Sequence, residues 1–245
     1  MRKNEPNRNH KVWNTESAVF TREDLKKIPK EDRVSIEDVP GLSEALENSK
    51  EATIKFAKEE NMPVDGKSPP FWNNCMRRSI PIPGFENHSL DVKVVEIMNS
   101  DRRFAEYILK NDGSKLRVLD IGCGICQYAP LFHHLGFKTF VGIDLFDMRT
   151  DVWGDGGKIL RKITKGAKVI MEAAGMKDYW IIAGDAKDSK SLIEEHVSNW
   201  EEGQKFDVIL AAGVCYNKAE GISEKDIQVL ADELLDPDGF LLIVT

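Results

Sequence analysis

Five short apolar runs alternate with helical stretches from Leu116 to the end of the sequence, and this alternation constrains the fold more than any other feature. The predicted strands are residues 116–121, 139–144, 179–184, 206–212 and 240–245. The predicted helices between them lie near residues 126–135, 158–174, 187–200 and 223–235. Strands so uniformly apolar are buried on both faces, as in a parallel sheet covered by helices. The pattern therefore predicts an α/β fold with a doubly wound, mostly parallel sheet and right-handed crossovers.

The first ninety residues have a different texture, because they are polar and charge-rich with only short apolar clusters. Two helices are predicted in this part and just beyond it, over residues 42–60 and 91–110. The stretch from Ser68 to Phe85 is punctuated by proline and glycine and is predicted to be a loop. We therefore divide the chain into a helical or irregular N-terminal extension, residues 1–90, and an α/β domain, residues 91–245. We expect the extension to act as a lid over the open face of the sheet.

Composition and charge argue against several classes of protein. The chain of 245 residues has a net charge of -7, which disfavours a large electrostatic footprint on nucleic acid. No apolar run approaches the roughly 20 residues needed to cross a bilayer, and the N-terminus lacks the apolar core of a secretory signal. Four cysteines do not make a disulfide framework in a chain of this length. These features predict a cytoplasmic protein that makes no membrane contact.

The segment Leu119–Pro130, LDIGCGICQYAP, contains two motifs at once. Cys123 and Cys126 form a C-x-x-C, the spacing of dithiol redox centres and of half a zinc site. Gly122 and Gly124 begin a glycine-rich loop at the carboxyl end of a predicted strand, where a doubly wound sheet binds its ligands. The third glycine of a dinucleotide fingerprint is replaced by glutamine, so that pattern fails.

Neither cysteine chemistry finds support elsewhere in the sequence. A zinc site needs more ligands, but Cys75 and Cys215 are isolated, and His133 and His134 are adjacent on a predicted helix and so point apart. A thioredoxin-like centre gives no role to the flanking glycine, and five strand–helix alternations exceed that small fold. We predict no stoichiometric metal and no dithiol redox cycle. Thiol reactivity stays open, because a helix N-terminus lowers the pKa of a nearby cysteine.

Five segments occur in a characteristic order: VLDIGCGIC, FVGIDLF, IIAGDAKD, FDVILAAGV and LLDPDGFLLIVT. Together they resemble the successive motifs of class I S-adenosylmethionine-dependent methyltransferases, from the glycine-rich first motif to the helix–turn–strand of the fifth. The resemblance covers about residues 100–245. It implies a Rossmann-like methyltransferase fold, S-adenosyl-L-methionine as the cofactor and methyl transfer as the activity. The family normally adds two further strands after the fifth.

The resemblance also implies roles for individual residues. Asp144 would bind the ribose hydroxyls, and Asp185 would lie near the adenine amino group. The implied cofactor site comprises Asp120, Gly122, Cys123, Gly124, Asp144, Leu145, Asp185, Ala186 and Ala212. Cys126 departs from the family pattern, because it occupies the third-glycine position and its side chain should crowd the start of the helix. At Asp188 we favour a helix N-cap over a ligand contact.

The methyl acceptor and the catalytic residues are less constrained by the sequence. The loop after the fourth strand, GVCYNKAE, places Cys215 and Tyr216 at the mouth of the site as candidates for catalysis. Packing over the cofactor is the favoured interpretation of both residues. A small-molecule acceptor is expected. A catalytically incomplete cofactor-binding or partner subunit is the alternative.

Two further alternatives come from short similarities. The segment KSPPFWNN, residues 67–74, resembles the Ser/Asp-Pro-Pro-aromatic motif of amino-directed DNA methyltransferases. No buried strand precedes it, so we interpret Phe71 and Trp72 as parts of the lid. Cys215 with Cys75 is loosely similar to the thiols of arsenite methyltransferases, but the other spacings do not match.

The sequence ends at Thr245, inside the fifth predicted strand. An unpaired apolar edge there would invite self-association. The segment Lys11–Thr21 could supply a neighbouring strand, because it is rich in β-branched and aromatic residues. Otherwise the edge pairs between subunits or is covered by residues missing from a fragment. We favour the fragment, because Asp236–Gly239 resembles an intact family turn.

Overall fold

A computed structural model describes residues 19–64, 76–80, 88–110, 113–145, 160–214 and 222–245. Its strands form one sheet in which every neighbouring pair is parallel, in the order β1-β6-β5-β2-β3-β4. The strands are β1 Val19–Phe20, β2 Arg117–Ile121, β3 Thr139–Asp144, β4 Asp178–Ala183, β5 Phe206–Ala212 and β6 Leu235–Val244. The chain moves outward from β2 through β3 to β4 and then crosses to β5 on the other side. The predicted doubly wound, Rossmann-like fold is therefore confirmed.

The helices of the described residues fill the connections. They are α1 Arg22–Lys27, α2 Leu42–Glu59, α3 Leu90–Met98, α4 Arg102–Lys110, α5 Ala129–His134, α6 Leu160–Ala173, α7 Ser189–His196 and α8 Glu224–Leu234. Local sequence sets their starts. In α8, for example, the Ser223 hydroxyl accepts from the Asp226 amide at 3.2 Å while the Asp226 carboxylate accepts from the Ser223 amide at 2.9 Å. None of the described helices combines the length and the apolar character needed to cross a bilayer.

Alternating strand residues build two cores, one on each face of the sheet. Val118 and Phe140 face the core that includes residues of α2 to α6. Their neighbours Leu119 and Val141 face the core formed with α7 and α8. Side chains alternate along a strand, so strands buried on both faces must be apolar at nearly every position. This is why the five runs of the sequence contain so little alternation.

The predicted helix over residues 91–110 is wrong in one respect, because it is two helices that break at Asn99. This asparagine is fully buried, and its side chain bonds backbone groups of α3 and of the segment that precedes α2. Its Oδ1 accepts from the Val34 amide at 2.8 Å, and its Nδ2 donates to the carbonyls of Val34 and Val95, each at 2.8 Å. The break therefore ties the first of the two helices to a segment 65 residues earlier.

The N-terminal helix α2 packs on α5, α6 and α3. The ring of Phe56 lies directly against Gly166, where a Cβ atom would stand 2.7 Å from Cε1. Beyond the end of α2, Glu60 forms ion pairs with Lys162 at 3.5 Å and with Lys165. The predicted lid, Ser68–Phe85, lies outside the described residues except for 76–80, so its closure over the site stays a prediction.

The last strand has a partner on its outer edge. Val19 pairs with Ile243 and Phe20 with Val244 in a parallel ladder, and the Thr245 amide donates to the Phe20 carbonyl at 3.1 Å. The N-terminal strand considered above as one alternative is thus present at these two residues, whereas residues 11–18 lie outside the described part. Self-association through the rest of this edge stays a prediction.

β6 begins earlier than the sequence predicts. The structure starts the strand at Leu235, directly after α8, whereas the prediction placed its first residue at 240. Residues 236–239, expected to form a separate turn, lie within the strand where its pairing with β5 shifts register between Phe206 and Val208. Because the register shifts there, the strand accommodates Pro237 and Gly239, and its pairing with β5 continues beyond them.

We predict that Asn99→Ala destabilises the protein by about 2–4 kcal/mol, because it leaves the buried amide and carbonyl of Val34 without their partner and removes one of the two bonds to the Val95 carbonyl. Urea denaturation followed by circular dichroism measures the change. Gln228→Ala is the matched control, since it truncates an exposed amide on α8. Equal stabilities of the two variants would contradict the role given to Asn99.

Candidate functional site

The carboxyl ends of β2 and β5 form the point where the direction of winding reverses. The segment after β2 leads to α5 on one face of the sheet, and the segment after β5 leads to α8 on the other. The two segments touch at Gly122 and Val214, where a Cβ on the glycine would stand 1.9 Å from the valine Cγ1. Gly122 also has a φ of +69°, so both space and backbone conformation require glycine. Open α/β sheets bind ligands in the crevice at this position.

The glycine loop, residues 122–128, is attached to the end of β3 by three hydrogen bonds. The amides of Gly122 and Cys123 donate to the Ile143 carbonyl at 2.8 and 3.3 Å. The Gly124 amide donates to Oδ2 of Asp144 at 2.9 Å. Asp144, predicted as a ribose ligand, therefore also orders the loop.

Cys126 has a φ of +57° and lies in the left-handed region with Gly124 at +53°. It keeps the backbone conformation that glycine would adopt at the family's third-glycine position. For a residue with a Cβ this conformation costs roughly 1–2 kcal/mol. Such strain persists only where surrounding structure fixes it, and here the side chain is fully buried.

The two thiols of the loop lie together over Gly142 of β3. A Cβ on Gly142 would stand 2.8 Å from Sγ of Cys123 and 3.3 Å from Sγ of Cys126. Both cysteines are buried and reduced, and burial raises the pKa of each thiol. Burial therefore opposes the lowering of the pKa considered for a cysteine at the start of this helix, because it disfavours the charged thiolate.

Asp120 is the most deeply buried acid of the site, with 1% of its surface exposed. It precedes the last residue of β2 and shares the sheet face of Val118, toward α5. Its Oδ2 has no hydrogen-bond partner among the described groups. Burial raises the pKa of this carboxyl well above its ordinary value, opposed by the charge of Arg78 and reinforced by Asp144. A buried carboxyl with an unbonded oxygen calls for an explanation, and a ligand group is one.

Of the two acids after β4, the one that makes a capping bond is not the one for which the sequence predicted it. The side chain of Asp185 accepts from the Lys187 amide at 3.0 Å and caps the short turn Ala186–Asp188. Asp188 occupies the N-cap position of α7, but its side chain makes no capping bond. The N-cap predicted for Asp188 is thus correct only in position. The exposed carboxyl of Asp185 lies at the carboxyl end of β4, level with the ends of β2 and β3.

The remaining predicted cofactor residues lie at the same edge of the sheet. Leu145 is half-buried directly after β3, Ala186 is half-buried three residues after the end of β4, and Ala212 is the buried last residue of β5. Cys215 and Tyr216 fall outside the described residues, as do Phe71, Trp72 and Cys75. In the described ranges no three His, Cys, Asp or Glu side chains are placed to hold a metal ion.

Four residues at the site were not predicted from the sequence: Arg78, Ser79, Gln127 and Tyr128. The buried Nε2 of Gln127 donates to the Ser79 hydroxyl at 2.7 Å. The guanidinium of Arg78 lies over the Tyr128 ring, with its Cζ 5.0 Å from the centroid. The polar Gln127 at an apolar helix start was the only signal in the sequence. No local pattern links it to a serine 48 residues away.

No protein-family model and no curated protein matches the sequence. Among solved structures, the chain is similar to PKMT2 from Rickettsia typhi in complex with AdoHcy, with 21% identity over 53% of this chain and 20% of that one, at a TM-score of 0.35. It is similar to a ribosomal protein L11 methylase from Lactobacillus delbrueckii subsp. bulgaricus, with 20% identity over 61% of this chain and 58% of that one, at 0.35.

A third similar structure is a SAM-dependent methyltransferase from Thiobacillus denitrificans in complex with S-adenosyl-L-homocysteine. The identity is 21%, over 66% of this chain and 55% of that one, with a TM-score of 0.34. The chain thus spans between a fifth and three fifths of the length of these three proteins.

We predict that Gly142→Ala destabilises the protein and weakens binding at the loop, because the new methyl group would stand 2.8 Å from Sγ of Cys123. A cost of about 1–3 kcal/mol is typical of such overpacking. Cys123→Ala in the same chain removes the sulfur and should recover part of the loss. Thermal unfolding of both single variants and the double variant gives the coupling energy, and additive effects would contradict the contact.

We also predict that Asp120→Asn stabilises the ligand-free protein at pH 8, by about 1 kcal/mol or a melting temperature higher by about 2–4 °C. Burial raises the folded-state pKa of Asp120 above 3.8, so the contribution of this residue to stability is most favourable below pH 3.8 and is lost as pH rises through the folded-state pKa. Asparagine cannot ionise and removes this loss.

Melting temperatures of the ligand-free wild type and variant at pH 4 and pH 8 test this prediction. The difference between them should shrink at pH 4. Asp178→Asn, which changes an exposed acid at the start of β4, is the control. Its melting temperature should change between pH 4 and pH 8 by the same amount as that of the wild type. A variant less stable than wild type at pH 8 would mean that the ionised carboxylate is compensated in the ligand-free protein.

Proposed function

We propose that this protein is an S-adenosylmethionine-dependent methyltransferase that acts on a small-molecule acceptor. The observation that carries the proposal is the convergence of Asp120, Asp144 and Asp185 with the glycine loop at one edge of the sheet. These residues come from three different strand ends, and the parallel sheet brings them to the same crevice. The five ordered sequence motifs support the same assignment.

The described residues fit the cofactor chemically. A carboxylate such as that of Asp144 can accept two hydrogen bonds from vicinal ribose hydroxyls. Asp185 can accept from an exocyclic amine while it caps its turn, because a carboxylate offers about four acceptor positions. The unbonded Oδ2 of Asp120 offers a buried negative partner for a cationic group of the ligand.

When bound, S-adenosylmethionine supplies an electrophilic methyl group on a sulfonium, and the protein has to align a nucleophile with it. The thiols of Cys123 and Cys126 do not suit proton transfer, because burial raises the pKa of both. Cys215 and Tyr216 stay the candidates for catalysis.

A small acceptor is favoured over nucleic acid by the net charge of -7. Turnover of a small molecule from a cell extract, followed with radiolabelled S-adenosylmethionine, tests this part of the proposal. Tight cofactor binding without transfer to any extract component would favour the alternative of a catalytically incomplete cofactor-binding subunit.

We predict that Asp144→Ala weakens the binding of S-adenosylmethionine. The change removes two charge-assisted hydrogen bonds, each worth about 1.5–3 kcal/mol before water compensates, and it releases the Gly124 amide. Asp144→Asn should lose less, because its amide oxygen can still accept from Gly124. Isothermal titration calorimetry measures both dissociation constants. The control is Asp178→Ala, which removes an acid at the amino end of β4, away from the site. Unchanged affinity in Asp144→Ala would contradict the ribose assignment.

A further inference from the structure

Residues 76–79 form a helical turn that packs against the glycine loop. Met76 is fully buried in the core that includes residues of α2 to α6. The hydroxyl of Ser79 is bonded to the buried amide of Gln127 at 2.7 Å. The turn is thus fixed at both ends, by an apolar side chain at its start and by a buried hydrogen bond at its finish.

Between these two attachments, Arg78 is held beside the site. Its guanidinium lies over the Tyr128 ring, with 5.0 Å from Cζ to the ring centroid. A guanidinium over an aromatic face keeps N–H donors in its own plane for a planar acceptor such as a carboxylate. The ordering of a long side chain is therefore achieved by the fold before any ligand binds, which lowers the cost of binding.

Arg78 and Asp120 are oppositely charged groups that act on each other. The charge of Arg78 acts on the Asp120 carboxyl, so the two groups lie within electrostatic reach of each other. Oδ2 of Asp120 nevertheless bonds neither to Arg78 nor to any other described group, although the residue is 1% exposed. The unbonded oxygen of Asp120 can therefore accept from a cationic group of a ligand, and the nearby guanidinium contributes a positive charge that favours an anionic group.

The ligand chemistry that matches this arrangement is a zwitterion, with an ammonium group toward Asp120 and a carboxylate toward Arg78. We propose, building on the function proposed above, that Arg78 binds the carboxylate of the amino-acid moiety of S-adenosylmethionine. Arg78 lies about 40 residues before the first methyltransferase-like motif, and none of the five motifs gives it a role. The N-terminal extension would then supply part of the cofactor site itself as well as a cover for it.

Two ligands that differ in the amino-acid moiety test this assignment. S-adenosylhomocysteine carries the moiety, and 5′-methylthioadenosine lacks it but keeps the adenosine and the sulfur. Calorimetric dissociation constants are measured for both ligands with wild type, Arg78→Gln and Arg78→Lys. We expect Arg78→Gln to weaken the binding of S-adenosylhomocysteine roughly 10- to 100-fold, which corresponds to the loss of a charge-assisted hydrogen bond. The affinity for 5′-methylthioadenosine should change less than about threefold, and Arg78→Lys should recover part of the loss.

Arg117→Gln is the matched control, because it makes the same change at the amino end of β2, the strand that carries Asp120. It should leave both affinities as in wild type. Melting temperatures of all variants confirm that they are folded. If Arg78→Gln weakened the binding of both ligands equally, Arg78 would only shape the loop. If the affinity for S-adenosylhomocysteine were unchanged, Arg78 would not contact its carboxylate. Either result overturns the inference. Wild-type protein that binds neither ligand would contradict the proposed function, and this inference with it.

Discussion

The attachment of the glycine loop to the end of β3 is the constraint on which the rest of the site depends. Ile143 and Asp144 accept three amide hydrogen bonds from the loop, and these bonds fix where the backbone turns after β2. Gly142, one step earlier on β3, provides the space in which the two thiols of the loop are buried. A loop held in this way needs no metal or disulfide to keep its shape, since buried sulfur packing and backbone bonds already determine it.

The same site combines stabilising and destabilising features. Asp144 contributes to folding through its bond to Gly124 and is also placed to bind a ligand. Asp120 does the opposite, because its buried carboxyl has an unbonded oxygen and a raised pKa. Cys126 adds backbone strain at the start of the helix. Such departures from local stability are typical of functional sites, where surrounding cores compensate for groups that are satisfied only when a ligand binds.

The N-terminal part of the chain is built into the α/β fold at several places. Val19 and Phe20 extend the sheet beyond β6, and α2 packs on α5 and α6. The turn over residues 76–79 reaches the glycine loop itself. Residues on both sides of position 90 contribute to one core, and the domain boundary expected there stays a prediction. The four residues 76–79 belong to the predicted lid, Ser68–Phe85, and through Ser79 they contact the glycine loop.

The sequence alone determined the parallel sheet, four of its five main strands to within one residue at each end, and the loop at the switch point. Those features follow from local patterns, because strands buried on both faces must be apolar throughout and a sharp turn after a strand requires glycine. Only the tertiary structure decided that α3 and α4 separate at Asn99, that Asp185 and not Asp188 provides the side-chain cap, and that Arg78 and Ser79 join the site. The bond partners of Asn99 and Ser79 lie 65 and 48 residues away. Contacts across such distances depend on how the helices pack on the sheet, and no local sequence pattern records them.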